Sequence, residues 1–243
     1  MIKLSHNNKK VSKLDAVSFG IQAFAIPFDI LKMFINRLPI DTEAKLGAFE
    51  NVHLETKQKT IDNQTHCLTC PSAGACGSVC YALQGSYRWN VVKAARAWNT
   101  ACTFLDNFAF HMTKALTKVK RPIVRIHDSG DFYSLRYFQQ WVKVAKALPQ
   151  KTFYAYTKSL IFVDFNALPD NFKLVQSQGG KHDHLLNPLK PIARIFESRE
   201  ALEKAGFTYG NENDLPAIQG VKRIGLVYHG TKKLTDQQRQ YFK

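Results

Sequence analysis

Residues 123–159 read IVRIHDSGDFYSLRYFQQWVKVAKALPQKTFYAYTKS, and the fold turns on how this stretch is read. It opens on an apolar run in which Val124 and Ile126 are β-branched, the side-chain type that packs well on a pleated surface. A polar turn follows: His127, Asp128, Ser129, Gly130, Asp131. From about Ser134 to Leu148, Tyr137, Trp141, Val144, Ala145 and Leu148 recur at helical spacing and mark one apolar face. Pro149 ends that helix, and TFYAYTKS reads as a second strand. Strand, helix and strand in this order make a βαβ unit, which implies parallel strands joined by a right-handed crossover.

Working outward, the unit repeats. LIFVDFNALPDN reads as a short helix and turn, FKLVQSQGG as a third strand, and the stretch with Pro188 and Pro191 as irregular. SREALEKAGF is a helix with Ser198 as its N-cap and Gly206 as its stop. RIGLVYHG is a last strand and DQQRQYF a terminal helix. On the other side, residues 84–120 are helical, from Tyr87 to Met112, with a break near Asp106 and Asn107. The fold class is therefore α/β, a partial (β/α) barrel of parallel strands over residues 48–243. Residues 1–47 form an N-terminal helical appendage. Its apolar segment, AVSFGIQAFAIPFDILKMFINRLPI, is interrupted by Pro27, Asp29 and Lys32 and falls short of a membrane span. Asp15 before it, and the lack of a small-residue cleavage site after it, argue against a signal peptide. A cytoplasmic location is expected.

The strands end in polar clusters. In parallel α/β folds the C-terminal strand ends form the functional face. Asp and Ser there also serve as ordinary helix caps, and a histidine can sit hydrogen-bonded in a core. Capping does not require His127, Lys158 and His229 at corresponding ends, however. The candidate catalytic residues are His127, Asp131, Lys158 and His229, with Arg125, Ser129 and Gln176 as candidate cofactor contacts. Arg125 lies within a strand, where burial without a partner is costly, so it must face a carboxylate, a ligand or a polar interior. His182 and His184 form an H-x-H pair that reads as part of a solvated loop.

Four of the five cysteines, Cys67, Cys70, Cys76 and Cys80, fall in HCLTCPSAGACGSVCYA with the spacing C-x2-C-x5-C-x3-C. Four soft thiolates so close in sequence can meet at one metal centre. Disulfides would close very small, strained loops. Four-cysteine zinc sites usually pair two C-x2-C knuckles. A compact run followed by proline or an aromatic, here Pro71 and Tyr81, suits an iron–sulfur cluster. Zinc is the alternative. Cys102, in an apolar helical stretch, reads as a core residue.

Lys and Arg outnumber Asp and Glu 34 to 19, a net charge of +15. That favours an anionic partner such as nucleic acid, although the basic residues are spread along the chain and serve solubility equally well.

The runs CLTCPSAGACGSVCYALQGSY, VRIHDSGDFYSLRYFQQW, FYAYTKS and LVYHGTKK resemble, in that order, the phage gene-product-eighty-eight family, over roughly residues 48–233. The resemblance implies a phage-encoded protein. It also implies a scaffold similar to radical-SAM barrels, where a cysteine loop after the first strand holds a four-iron cluster. Those enzymes use C-x3-C-x2-C. Here Cys76 and Cys80 supply C-x3-C, but Leu83 stands where the third cysteine would be. A cluster held by all four cysteines leaves no iron for SAM, whereas one non-ligating cysteine reopens a site. Two functions are expected: redox or radical-type chemistry at an iron–sulfur cluster, or a zinc-stabilised nucleic-acid-binding module without catalysis.

Overall fold

The computed structural model describes residues 1–6, 9–228 and 235. In chain order its elements are α1 (Lys9–Ser12), β1 (Ala16–Phe19), β2 (Ala25–Pro27), α2 (Phe28–Arg37), α3 (Thr42–Glu55), β3 (Gln58–Ile61) and β4 (Gln64–Leu68). A loop of short 3-10 turns carries the remaining clustered cysteines. Then come α4 (Asn90–Thr103), α5 (Phe108–Thr117), β5 (Ile123–Ile126), α6 (Leu135–Ala147), β6 (Thr152–Thr157) and β7 (Phe172–Ser177). The chain continues through β8 (Ile192–Phe196), α7 (Arg199–Lys204), β9 (Thr208–Tyr209), α8 (Leu215–Ile218) and β10 (Arg223–Val227).

Seven strands form one sheet in the order β1-β5-β6-β7-β8-β10-β9. Every pairing in it is parallel, with Val17 beside Val124, Val124 beside Phe153 and Ile224 beside Ala193. The sheet is open, with β1 and β9 at its edges, and no closed barrel forms. From β1 to β8 each strand is added on the same side, so the C-terminal ends of β5, β6 and β7 lie next to one another.

Alternation along the strands separates two faces. Phe19, Val124, Ile126, Phe153, Ala155 and Leu174 point into the large core against α4, α5 and α6. Ser134 starts α6 by accepting from Tyr137 N at 3.1 Å. The helix buries Trp141 between Phe19, Phe108 and Phe153, with ring centroids 5.4, 5.6 and 6.5 Å away. Aromatic pairs like these contribute about 0.5–1.5 kcal/mol each beyond the area they bury. The opposite face carries Tyr154, Val175, Ala193 and Ile224, packed with Ala217 of α8.

The N-terminal segment differs from expectation. Its apolar run supplies β1, an edge strand of the main sheet, and then β2 and α2. Residues 1–47 are therefore not only a helical appendage, and α3 runs across the expected boundary. A second strand, β8, lies in the stretch read as irregular. The helix expected at LIFVDFNALPDN is a single 3-10 turn, Leu160–Phe162. The long helix breaks at Phe104–Asn107, between α4 and α5. The expected terminal helix lies outside the described residues. Among the described residues no helix is long and apolar enough to cross a membrane.

Candidate metal centre and its cavity

β2, β4 and β3 form a small antiparallel sheet. On leaving β4 the chain turns across the C-terminal ends of β5, β6 and β7. Thr69 N and Cys70 N both donate to Phe24 O, at 3.0 and 3.2 Å, and Asp131 N donates to Thr69 O at 3.2 Å. Further on, Lys181 N donates to Ser72 O at 3.0 Å, and Ala73 forms an antiparallel bridge with Gly180. Gly74 is required there, because a Cβ at that position would stand 2.5 Å from Gly179 O. Asp183 fixes the facing loop by accepting from Gly179 N and Gly180 N at 2.7 and 2.8 Å. The histidines flanking Asp183, His182 and His184, have ring centroids 6.0 Å apart on this loop.

Beneath the cysteine loop is a cavity of about 390 Å³, within the range of small-molecule sites. Cys70, Cys76 and Cys80 line it. Cys67 does not: it is fully buried in the large core. Three of the four clustered cysteines, spaced C-x5-C-x3-C, therefore face the cavity, and Cys67 does not join them. Alternation along β4 decides this, because Cys67 takes an inward position of the strand. Cys102 is a fully buried core residue.

Burial raises the pKa of all three cavity thiols. For Cys70 the rise is large, and the nearby Asp131 carboxylate adds to it, while Phe24 N, 3.3 Å from Sγ, opposes it. For Cys76 the Lys158 ammonium opposes the rise. Metal-free, these cysteines are thiols at neutral pH, and loading a metal must release protons. Among the described residues no three His, Cys, Asp or Glu side chains converge tightly enough for a single metal ion. A zinc ion would need its sulfurs about 3.8 Å apart, from Zn–S bonds near 2.3 Å. Soft cysteine donors such as these are the type that holds either zinc or an iron–sulfur cluster.

The strand ends furnish the remaining walls. Asp131 is buried, with Oδ1 accepting from Phe132 N (2.7 Å) and Thr157 Oγ1 (2.6 Å) and Oδ2 from Lys158 N (2.9 Å). It ties the β5 turn to the end of β6, and burial raises its pKa. Lys158 Nζ donates to Ser177 Oγ (2.9 Å), Ser177 O (3.3 Å) and Gln178 O (2.5 Å), reaching the end of β7, and burial lowers its pKa. His127 follows β5 at φ 63°, a conformation uncommon for a residue with a Cβ. Its Nε2 lies 2.8 Å from the Tyr137 hydroxyl, and its buried Nδ1 has no partner. Burial pushes this imidazole down to about 3. Arg125 meets a carboxylate, with Nη1 2.8 Å from Asp214 Oδ2, and Tyr154 donates to the same oxygen at 3.0 Å.

Two residues expected to contact a cofactor spend their side-chain polar atoms on the protein, although Ser129 does line the cavity. Gln176 is fully buried, with its amide exchanging bonds with Asn187 (2.8 and 2.7 Å), and it does not line the cavity. The Ser129 hydroxyl donates to Ile21 O at 2.6 Å, joining the β5 turn to the chain after β1. His229 lies outside the described residues.

Sequence reasoning missed Asp214 and Arg96, and it did not foresee the hydrogen bonds made by Tyr81 and Tyr87. The Asp128 carboxylate is buried against the Arg96 guanidinium, with a second bond from Arg96 Nη2 at 2.7 Å and one from Ser18 Oγ at 3.2 Å. The Asp128 carbonyl accepts from Tyr81 (2.7 Å) and Tyr87 (3.3 Å). The residue that follows Cys80 is thereby bonded to the turn after β5. The signal for Asp214 was Arg125 itself, which demanded a carboxylate without saying which.

Fold and site together define an α/β protein with an all-parallel seven-stranded sheet and a cysteine-lined cavity at the strand ends. Residues 34–240 match the family described as Gene product 88, and the chain belongs to that family. Among curated proteins it is similar to the Gene 88 protein of Mycobacterium phage D29, 29% identical over 139 residues, covering 46% of this chain and 58% of that protein. It is also similar to the Gene 88 protein of Mycobacterium phage L5, 31% identical over 103 residues, covering 37% of this chain and 43% of that protein. The aligned part thus spans about half the length of these phage relatives. No solved structure gives a significant match.

Proposed function

We propose that this protein holds a four-iron cluster on Cys70, Cys76 and Cys80 and supports redox or radical-type chemistry on a small molecule in the adjoining cavity. The observation that carries the reading is the convergence of these three cysteines on one cavity at the C-terminal edge of a parallel sheet, while Cys67 turns into the core. Three thiolates rather than four leave one iron with an exchangeable position, and the bound cluster would supply electron transfer to a ligand there. Their spacing still differs from the C-x3-C-x2-C pattern of radical-SAM enzymes, so SAM itself is one ligand among several that would suit that position.

The surrounding residues have definable work. Lys158 sets a positive charge beside Cys76, which favours the thiolate that metal binding needs. Asp131 joins the strand ends that carry the loop. Tyr81 anchors the far side of the Cys80 turn. The apolar and aromatic walls of the cavity exclude bulk water from the metal. As a member of a phage family, the protein would act in the host cytoplasm. The test is anaerobic purification with iron, sulfide and zinc determined per chain. A brown protein with matching iron and sulfide supports the reading; a colourless one with zinc on the same cysteines refutes it.

A further inference from the structure

The cavity walls are unevenly satisfied. Both oxygens of Asp131 are occupied by donors. Lys158 has three N–H donors, and all three have acceptors. Arg125 differs. Its guanidinium carries five donors, yet it makes one hydrogen bond to the described residues, through Nη1 to Asp214. Its Nε is buried with no partner. His127, 4% exposed, lines the same cavity, and its buried Nδ1 has no partner. An unpaired buried polar group is expensive; Tyr156 on the same wall also has a hydroxyl without a partner, and a ligand with hydrogen-bonding groups would serve such atoms. The wall also carries the apolar residues Ala73, Val79, Ile195 and Leu226 and two carboxylates, Asp131 and Asp214.

We propose that the cavity binds a small organic acid with an apolar body, its carboxylate accepting from the Arg125 guanidinium and its body lying against Ala73, Val79, Ile195 and Leu226. The inference rests on the reading of this cavity as a substrate site, and it names the substrate class. An acid is favoured over a neutral acceptor because the planar guanidinium fork matches a carboxylate. An organic acid is favoured over phosphate because the Asp131 and Asp214 carboxylates share the wall and would repel a multiply charged anion, while the apolar residues suit a carbon body. His127 supplies the second polar contact. Its ring is neutral at physiological pH, so Nδ1 adds no charge and pairs with a hydroxyl or carbonyl on the acid.

The test uses the full-length chain and three probes by isothermal titration: benzoate, its neutral isostere benzamide, and inorganic phosphate. Benzoate is expected to bind roughly tenfold or more tightly than benzamide, the difference carried by a charge-assisted hydrogen bond. Arg125→Lys keeps the charge and removes the Nε donor, so it should weaken benzoate by about tenfold and leave benzamide unchanged. Equal affinity for benzoate and benzamide, or tighter binding of phosphate than of benzoate, would overturn the inference. The comparison of probes on the unaltered chain stands even if Arg125→Lys misfolds. Iron is measured on the same samples. Benzoate selectivity without iron supports the acid site and sinks the cluster; iron without selectivity does the reverse.

Discussion

His127 offers a sharp test of how the strand-end site is built. The residue is buried, and burial holds its imidazole down at about 3, against about 6.5 in an unfolded chain. Because the folded value is depressed, the stability is fully present above the unfolded value and is lost as pH falls from about 6.5 toward 3. At about pH 5 the unfolded chain holds this proton almost completely and the folded chain almost not at all. The gap is then about 1.5 pKa units, or about 2 kcal/mol. That figure barely changes if the folded value moves by a unit, since it stays below 5. The perturbation is His127→Asn. Asn tolerates the positive φ here and does not titrate. It also loses the bond to Tyr137, a cost of about 1 kcal/mol at every pH. Urea unfolding at about pH 7.5 and about pH 5 should show the unaltered protein losing about 2 kcal/mol more than the variant between the two conditions. Parallel losses, within about 0.5 kcal/mol, would refute a neutral imidazole enclosed by this turn.

Other consequences follow from the same geometry. Ser at Cys70, Cys76 or Cys80 should remove most bound iron, while Cys67→Ser and Cys102→Ser keep it; full iron in two of the first three variants would sink the three-cysteine centre. Arg96→Met leaves the Asp128 carboxylate buried with only Ser18 on it, and should cost about 3 kcal/mol in urea unfolding; a loss under about 1 kcal/mol would mean the pair is better hydrated than its burial implies. Gly74→Ala drives a Cβ into Gly179 O, a backbone atom with little room to yield. It should cost about 1–3 kcal/mol and speed proteolytic cutting of the cysteine loop, and an unchanged digestion rate would contradict the docking described.

The central βαβ unit was legible because its signals agree. Ser134 caps, Tyr137, Trp141 and Val144 keep helical period, Pro149 stops the helix, and β-branched residues flank it. β1 was missed because AVSF opens a long apolar run where period cannot separate strand from helix, although Asp15 turns the chain just before it at φ 49°. β8 was missed because Pro188 and Pro191 read as loop signals, although Pro191 lies just outside the strand. For the site, the strand-end residues His127, Asp131 and Lys158 were visible in the sequence, but what each touches was not. Asp131 and Lys158 spend their polar atoms joining strand ends, while His127, Arg125 and Tyr156 keep unpartnered ones. Cys67 misled because C-x2-C is a strong local pattern. Strand alternation outweighs it: Cys67 stands opposite Ile26 in β2 and shares its inward side. Asp214 and Arg96 carry no local mark, since their roles arise from contacts 89 and 32 residues away in sequence.

The most direct measurement is the iron and acid-labile sulfide content of the full chain purified without oxygen, with its visible spectrum. A cluster on Cys70, Cys76 and Cys80 predicts a brown protein with about four irons and about four sulfides per chain, bleached by air and retained in Cys67→Ser. A colourless protein free of iron and sulfide after anaerobic reconstitution, or one carrying a single zinc ion on these cysteines, would contradict it.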